Sequence, residues 1–283
     1  MSEILASAPL VIGLPVYNGG TYVSGAIDSL LRQSFRDFVL FISDNCSTDD
    51  TSRICRAFAE SDSRIVYFRH PVNCGVVANF TFVLQRSSSE FFMWAADDDR
   101  WAPHHLERCI AALKSDEKIG LAMSNLDLIQ HTTDGVVSTG RTVILPSMSN
   151  RVLKNAFIRL IDFTANAIYG VFRRRALEEV FHDVELFDLS DVYLVNTIAL
   201  KWKLFVSSDF SFMAGTRRSE ADMHRALSPD RLHYGPFVRR SIATLFRELP
   251  LPQAVLVSTA LLARVGIYEA ERASSRRLGS HRP

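Results

Sequence analysis

The sequence predicts an α/β protein built on a mostly parallel sheet with helices packed on both faces. Through the first 130 residues, short unbroken apolar runs alternate with segments whose apolar residues recur at helical spacing. The apolar runs lack in–out alternation, as strands buried on both faces do. Three of them end in polar clusters: Tyr17-Asn18, Asp44-Asn45 and Asp97–Asp99. In open parallel sheets ligands bind beyond the carboxyl ends of the strands, so three such clusters at one edge make a candidate site.

The elements follow in order. LVIGLPV (Leu10–Val16) is the first strand, ended by turn chemistry at Asn18-Gly19-Gly20, and the next helix places Val23, Ile27, Leu30 and Leu31 on one face. FVLFIS (Phe38–Ser43) is the second strand; DNCSTDDT then supplies capping residues for a helix carrying Ile54, Cys55 and Phe58. RIVYF (Arg64–Phe68) is the third, followed by a helix using Val77, Phe80 and Leu84. FFMWAA (Phe91–Ala96) is the fourth, and its helix opens near Pro103 with Leu106, Cys109, Ile110 and Leu113 on one face. After residue 119 the pattern loosens. IGLAMSNLDLI and GVVSTG read as a hairpin around Asp134-Gly135, followed by a helix near Asn150–Phe163 and an apolar–basic segment, Ala167–Leu177. DLSDVYLVNTIAL starts a helix with Ser190 or Asp188 as cap, KLFVSSDFSFM is a late strand, and the region from about residue 215 reads as helical.

Composition is that of an ordinary globular chain: 47% hydrophobic and 22% charged over 283 residues. A net charge of +1 gives no argument for nucleic-acid binding. Residues 214–283 hold 12 Arg against 6 Asp and Glu, a balance of +6 that leaves −5 for the rest. That region is read as a solvated basic face, with peripheral membrane contact as the alternative. Cys46, Cys55, Cys74 and Cys109 show no metal-site spacing and read as reduced thiols. The start of the chain lacks the pattern of a signal peptide, and no apolar run is long enough to span a bilayer. The expected location is cytoplasmic, with the inner face of the cell membrane as the place of any peripheral contact.

Neither a G-x-x-x-x-G-K-[ST] loop nor a G-x-G-x-x-G turn follows a strand, which argues against a P-loop or a dinucleotide fold. The aspartate triplet is the strongest local signal. Carboxylates this close raise one another's pKa and repel anions, and a divalent cation removes both problems. Mg²⁺ and Mn²⁺ favour oxygen ligands, often one or two carboxylates plus substrate phosphates. The competing explanation is that an aspartate caps the following helix; it accounts for one of the three more readily than for all.

The stretch Val11–Thr51 contains P-x-Y-N, then S-x-L-x-Q, then D-N-x-S-x-D, and so resembles the opening of family 2 glycosyltransferases. HPVNCGVVANF resembles that family's R-N-x-G-x-x-x-N segment through Asn73, Gly75 and Asn79, and Asp97–Asp99 before Trp101 resembles its D-x-D metal motif. The resemblance implies a GT-A fold with a Rossmann-like sheet over residues 1–213, whose halves 1–105 and 106–213 bind nucleotide-sugar and acceptor, and a helical C-terminal region, 214–283. It implies inverting transfer of a sugar, of the hexosyl or deoxyhexosyl class, from a nucleotide-diphosphate-sugar to a glycan or lipid-linked glycan, with Mn²⁺ or Mg²⁺ as cofactor.

Carried over position by position, Pro15, Tyr17, Asn18, Asp44, Asn45, Asn73, Asn79, Asp97 and Asp98 line the nucleotide site, with Asp44 on the base. Asp99, Asp97 and Asp98 are the metal candidates. The usual spelling D-A-D-D-x-W, aligned on Trp101, puts Ala96 at its first aspartate and leaves the assignment among the three open. The late helix SDVYLVNTIAL resembles the one that carries the family's E-D pair, which makes Asp191 the general-base candidate and Asp188 its runner-up. Ser190 stands where the pair's first acid would be, and the alternative it favours is a catalytically degenerate nucleotide- or glycan-binding module. Arg173–Arg175 read mainly as a solvated face with a phosphate contact as the alternative. His104 and His105 read as surface residues of a helix start, and Trp94 and Trp101 as packing residues, Trp101 being the better sugar-stacking candidate.

Overall fold

A computed structural model describes residues 8–132, 135–143, 165–181, 190–216 and 234–263. They fall into two compact units, one holding 1–148, 166–179 and 202–217, the other 149–165, 180–201 and 218–283.

The first unit is a nine-stranded mixed sheet. Its strands are β1 (Leu10–Val16), β2 (Phe38–Asp44), β3 (Ile65–Arg69), β4 (Phe91–Trp94), β5 (Arg100–Trp101), β6 (Ile119–Thr132), β7 (Gly135–Val143), β8 (Val171–Arg173) and β9 (Lys203–Thr216). They are ordered β3-β2-β1-β4-β8-β6-β9-β5, with β7 paired to β6. The first four pair in parallel, and every residue of β1, β2 and β4 is buried. The helices α1 (Val23–Leu31), α2 (Thr51–Ser61), α3 (Val76–Gln85) and α4 (His105–Ser115) alternate with these strands and cover them. β8 then joins β4 antiparallel, so the parallel half continues into an antiparallel one. The expected hairpin is β6–β7, paired Thr132↔Gly135, with Asp134 itself outside the described residues. The helix expected near Asn150–Phe163 also lies outside them.

One connection sets the shape of this sheet. Residues 95–99 leave β4, turn at Asp97-Asp98, and re-enter as β5, antiparallel to β9 at the far edge. Between β4 and β5 lie four interstrand steps, about 19 Å on a flat sheet. Six Cα steps from Trp94 to Arg100 reach about 20 Å only when fully extended. A turn cannot be fully extended, so the sheet must curl to bring β9 and β5 back toward β4.

In the second unit α6 (Ser190–Lys201), α7 (Tyr234–Glu248) and a further helical run at 251–263 share a core of Val192, Tyr193, Leu200, Phe237, Leu245, Leu249, Ala254, Val257 and Leu261. Tyr193 OH and Thr244 Oγ1 are 2.8 Å apart within it. Among the described residues no helix is long and apolar enough to cross a membrane.

The arginine run corrects its reading as a solvated face. Arg173, the last residue of β8, donates from Nε to Ile119 O (3.0 Å) and from Nη2 to Leu113 O at the end of α4. Arg174, which opens α5 (Arg174–Phe181), donates from Nη1 to Leu84 O (3.0 Å) and Ser87 Oγ (2.8 Å) at the end of α3. Each guanidinium therefore caps a carbonyl at a helix C-terminus, Leu113 O for α4 and Leu84 O for α3, where the helix dipole also favours a cation. Only Arg175 is exposed, and it pairs with Glu179. Replacing Arg173 by Met is expected to lower unfolding free energy by about 1–3 kcal/mol in urea titration, because buried carbonyls lose their donor. Lys at 173 is expected to recover only part of it, since it cannot fork between two acceptors.

Candidate functional site

The parallel register aligns Val16 with Asp44, Asp44 with Arg69, and Gly13 with Trp94. The segments after β1, β2, β3 and β4 therefore leave the sheet at one edge, which brings Tyr17 and Asn18, Asp44 and Asn45, Asn73, and Asp97–Asp99 together. Pro15 is buried within β1 and Tyr17 is exposed at its end. Among the described residues, two that are not glycine have positive φ, and both sit at this edge: Asn18 (51°) and Cys46 (62°). Asn tolerates that region; for Cys it is a strained conformation of the kind that clusters at ligand sites.

The turn after β1 is locked onto the segment after β2. The backbone N–H groups of Asn18, Gly19 and Gly20 donate to Ser47 Oγ (3.0 Å), Thr51 Oγ1 (2.9 Å) and Asp49 Oδ2 (2.9 Å). In return Thr48 N–H donates to Asn18 Oδ1 (2.9 Å). Asp44 is fully buried. Its Oδ1 accepts from Ser47 N–H (2.8 Å), and its Oδ2 from Ser52 Oγ (2.5 Å) and Tyr67 OH (2.8 Å), with Arg69 Nε at 3.5 Å. Burial alone would raise this carboxyl's pKa, but the Ser47, Ser52 and Tyr67 bonds outweigh it and hold it below the usual range.

The three asparagines act as clamps. Asn45 Nδ2 donates to Asn73 Oδ1 and Gly75 O (both 3.1 Å), and its Oδ1 accepts from Cys74 N–H (2.8 Å). Buried Asn79 donates to Ser43 O (2.9 Å) and accepts from Ser43 Oγ (2.6 Å). They hold the 70–79 segment against the end of β2.

Of the triplet, Asp97 and Asp99 are buried and Asp98 is partly exposed. Asp97 packs on the turn after β1 so closely that a Cβ at Gly19 would overlap its Oδ2. Asp99 Oδ1 accepts from Gly215 N–H (2.8 Å), while its Oδ2 is buried with no hydrogen bond. Burial, and then the neighbouring Asp98 charge, push the Asp99 carboxyl well up; burial also raises Asp98, against the pull of His131 and Arg100. Among the described residues no three His, Cys, Asp or Glu side chains converge as a complete metal site.

In the second unit Asp191 lies in the first turn of α6, its Oδ1 accepting from Val192 N–H (2.8 Å). Burial raises its pKa despite that bond, a direction that suits a general base. Asp188 lies outside the described residues.

Other expectations meet packing. His105 is buried rather than at the surface: its Nδ1 is 2.9 Å from Ser211 Oγ, and burial drops its pKa to about 4, which keeps it neutral. His104 pairs with Asp209 at 3.0 Å. Trp101 is buried and stacked on Phe212 (5.7 Å, 19°), which leaves it no free face for a sugar; Trp94 donates to Phe80 O (3.0 Å) within the core.

Several residues that shape the edge were not among the expected site residues, although Gln33 closes the S-x-L-x-Q segment. Gln33 spans from α1 to the chain after the triplet, donating to Ala102 O (2.9 Å) and accepting from Leu106 N–H (3.0 Å). Arg100 donates from Nη1 to Asp99 O (2.7 Å) and from Nη2 to Tyr22 O (3.2 Å). His131 and Gly215 reach the triplet from β6 and β9. In the polar run Asp44–Thr51 supporting residues were visible as capping types.

Residues 11–181 match Glycosyl transferase family 2. An uncharacterized glycosyltransferase of Rickettsia typhi is 32% identical over 43% of this chain and 38% of its own length. The putative teichuronic acid biosynthesis glycosyltransferase TuaG of Bacillus subtilis is 31% identical over 35% of this chain and 40% of its own. The chain thus spans about two fifths of the length of these curated relatives. The crystal structure of S. aureus TarS 1-349 in complex with UDP-GlcNAc superposes with a TM-score of 0.69 at 18% identity, over 90% of this chain and 72% of that one.

Asp44 offers the sharpest test of how this edge is built. Ala at 44 is expected to cost about 2–4 kcal/mol at pH 7, since it strands Tyr67, Arg69 and two other donors. The carboxyl's folded pKa is depressed, so its stabilisation is present above the ordinary range near 4 and is lost as pH falls through the folded value. The stability gap between wild type and variant should therefore narrow as pH falls below about 4. A gap as wide at pH 3 as at pH 7 would assign the loss to packing instead.

Proposed function

The chain belongs to glycosyl transferase family 2 and has the GT-A fold, and from that premise we propose that it transfers a sugar from a nucleotide-diphosphate donor to a hydroxyl of a glycan or lipid-linked glycan, with inversion, in cell-surface polysaccharide synthesis. The observation that carries this reading is the convergence of the segments after β1, β2 and β4 at one sheet edge, where a fully buried strand delivers Asp97–Asp99. The name of TuaG supports the polysaccharide assignment, and the UDP-GlcNAc complex of TarS supports a nucleotide-sugar donor.

The residues present fit a divalent cation, Mn²⁺ or Mg²⁺, in a limited way. Asp99 is a fully buried carboxyl with an oxygen that accepts no hydrogen bond, and Asp98 is the member of the triplet that solvent reaches. One or two carboxylates would then hold the ion and the donor's diphosphate would supply the remaining ligands. Asp98 and Asp99 would hold such a cation, which would supply charge stabilisation for the leaving diphosphate in place of a protein general acid. Asp97 would position the turn after β1, and Tyr17, an exposed side chain of that turn, would pack on the nucleotide. Asp44, Asn45, Asn73 and Asn79 would act from beneath, by fixing the loops the nucleotide rests on.

Asp191 would take the proton from the acceptor hydroxyl as it attacks the anomeric carbon. Its raised pKa makes it a better base than a solvated aspartate. The exposed Leu251, Val255, Leu256 and Leu262 of the 251–263 run support peripheral contact with the inner face of the cell membrane, where a lipid-linked acceptor would lie.

Incubation with labelled nucleotide-sugars and extracted envelope glycans tests the reading. Asp191→Asn is expected to lower turnover by about 10²–10⁴-fold while nucleotide binding stays within about twofold of wild type. An unchanged rate removes Asp191 from the role of base. Nucleotide binding with no transfer by the wild type would instead favour a degenerate binding module, the reading suggested by Ser190.

A further inference from the structure

Consecutive aspartates in a tight turn repel one another, so something must hold Asp98 and Asp99 in one arrangement. The structure places four restraints on them. His131 Nε2 lies 2.7 Å from Asp98 O; a carbonyl only accepts, so Nε2 carries the proton. Gly215 lies beneath the same carbonyl, with no room for a Cβ, and its N–H binds Asp99 Oδ1 at 2.8 Å. Arg100 Nη1 donates to Asp99 O at 2.7 Å. The His131 ring is packed against Tyr22 at 4.7 Å between centroids, and the Tyr22 carbonyl accepts the other end of Arg100 at 3.2 Å.

His131 and Gly215 are brought together by the β6–β9 ladder, which pairs Ile129 with Gly215 and Gln130 with Thr216. Tyr22 ends the turn after β1 and precedes α1, so the imidazole ties that turn, the triplet and the antiparallel half of the sheet into one assembly. Its reach across 33 residues is to a backbone atom, and it contributes no ligand of its own to the edge.

We propose that His131 is a positioning residue of the donor site. By donating to the Asp98 carbonyl from a ring braced on Tyr22, it fixes the peptide between Asp98 and Asp99 and thereby aims both carboxylates at the donor's diphosphate and its cation. The proposal rests on the donor-site reading above.

The test compares wild type, His131→Leu and His131→Gln, the last of which keeps an N–H at the reach of Nε2. Binding of UDP, GDP and dTDP is measured by calorimetry, each with Mn²⁺ and each in EDTA, alongside urea unfolding of the free proteins. With the nucleotide that binds wild type best, His131→Leu is expected to weaken Mn²⁺-dependent binding about tenfold, the scale of one lost buried hydrogen bond. The loss should be much smaller in EDTA, and His131→Gln should return to within about threefold of wild type. Wild-type affinity in His131→Leu overturns the positioning role and leaves the donor site standing. Equal loss in both variants, with and without Mn²⁺ and matched by lower unfolding midpoints, overturns it in favour of plain packing. A wild type that binds none of the three nucleotides with Mn²⁺ overturns the donor-site reading and this proposal with it.

Discussion

A parallel strand covered by helices on both faces has nowhere along its length to put a charge. β1, β2 and β4 are buried at every residue, and in all three the first polar side chains come at or just past the carboxyl end: Tyr17 and Asn18, Ser43 and Asp44, Asp97–Asp99. The parallel register then stacks those ends in space: Val16 lies opposite Asp44, and β4 ends opposite Gly13 with the triplet beginning three residues on. Much of the polar edge thus follows from hydrophobic burial, the dominant driving force of folding, and not from polar interactions of its own.

Gathering so many polar groups at one edge creates a satisfaction problem, and the chain solves most of it internally. The amides after β1, the carboxylate of Asp44 and the amides of Asn45 and Asn79 are all consumed by neighbours. This is preorganisation: the loops stand in place before any ligand arrives, and the edge need not reorganise on binding. Asp99 is not satisfied in this way. Its second oxygen is buried without a hydrogen bond and its pKa is driven well up, the signature of a carboxylate whose partner is not supplied by the fold.

The parallel half was legible in the sequence because its signals are local. Period and continuity locate β1 to β4 and the helices between them, and turn chemistry marks where each strand stops. The polar residues Asp44, Asn45, Asn73 and Asn79 could be singled out as important, but not as clamps, since a side chain's direction depends on partners far along the chain. The same limit hid Arg173 and Arg174, which look like a basic patch in sequence and turn inward to cap α4 and α3. It also hid His105, whose partner Ser211 is 106 residues away. A histidine at a helix start gives no sign of burial until β9 is laid across it.

The curl of the sheet explains why the least legible residues gather at the triplet. Residues 95–99 must span four interstrand steps while also making a turn, so β9 has to come to them. What β9 and its neighbour β6 bring are Gly215 and His131, an N–H and an imidazole on adjacent strands that grip the Asp98 carbonyl and the Asp99 carboxyl. Glycine is required at 215 because the approach is closer than any Cβ permits. The same short connection therefore closes the sheet and builds the acidic turn, so the curl and the turn depend on one another.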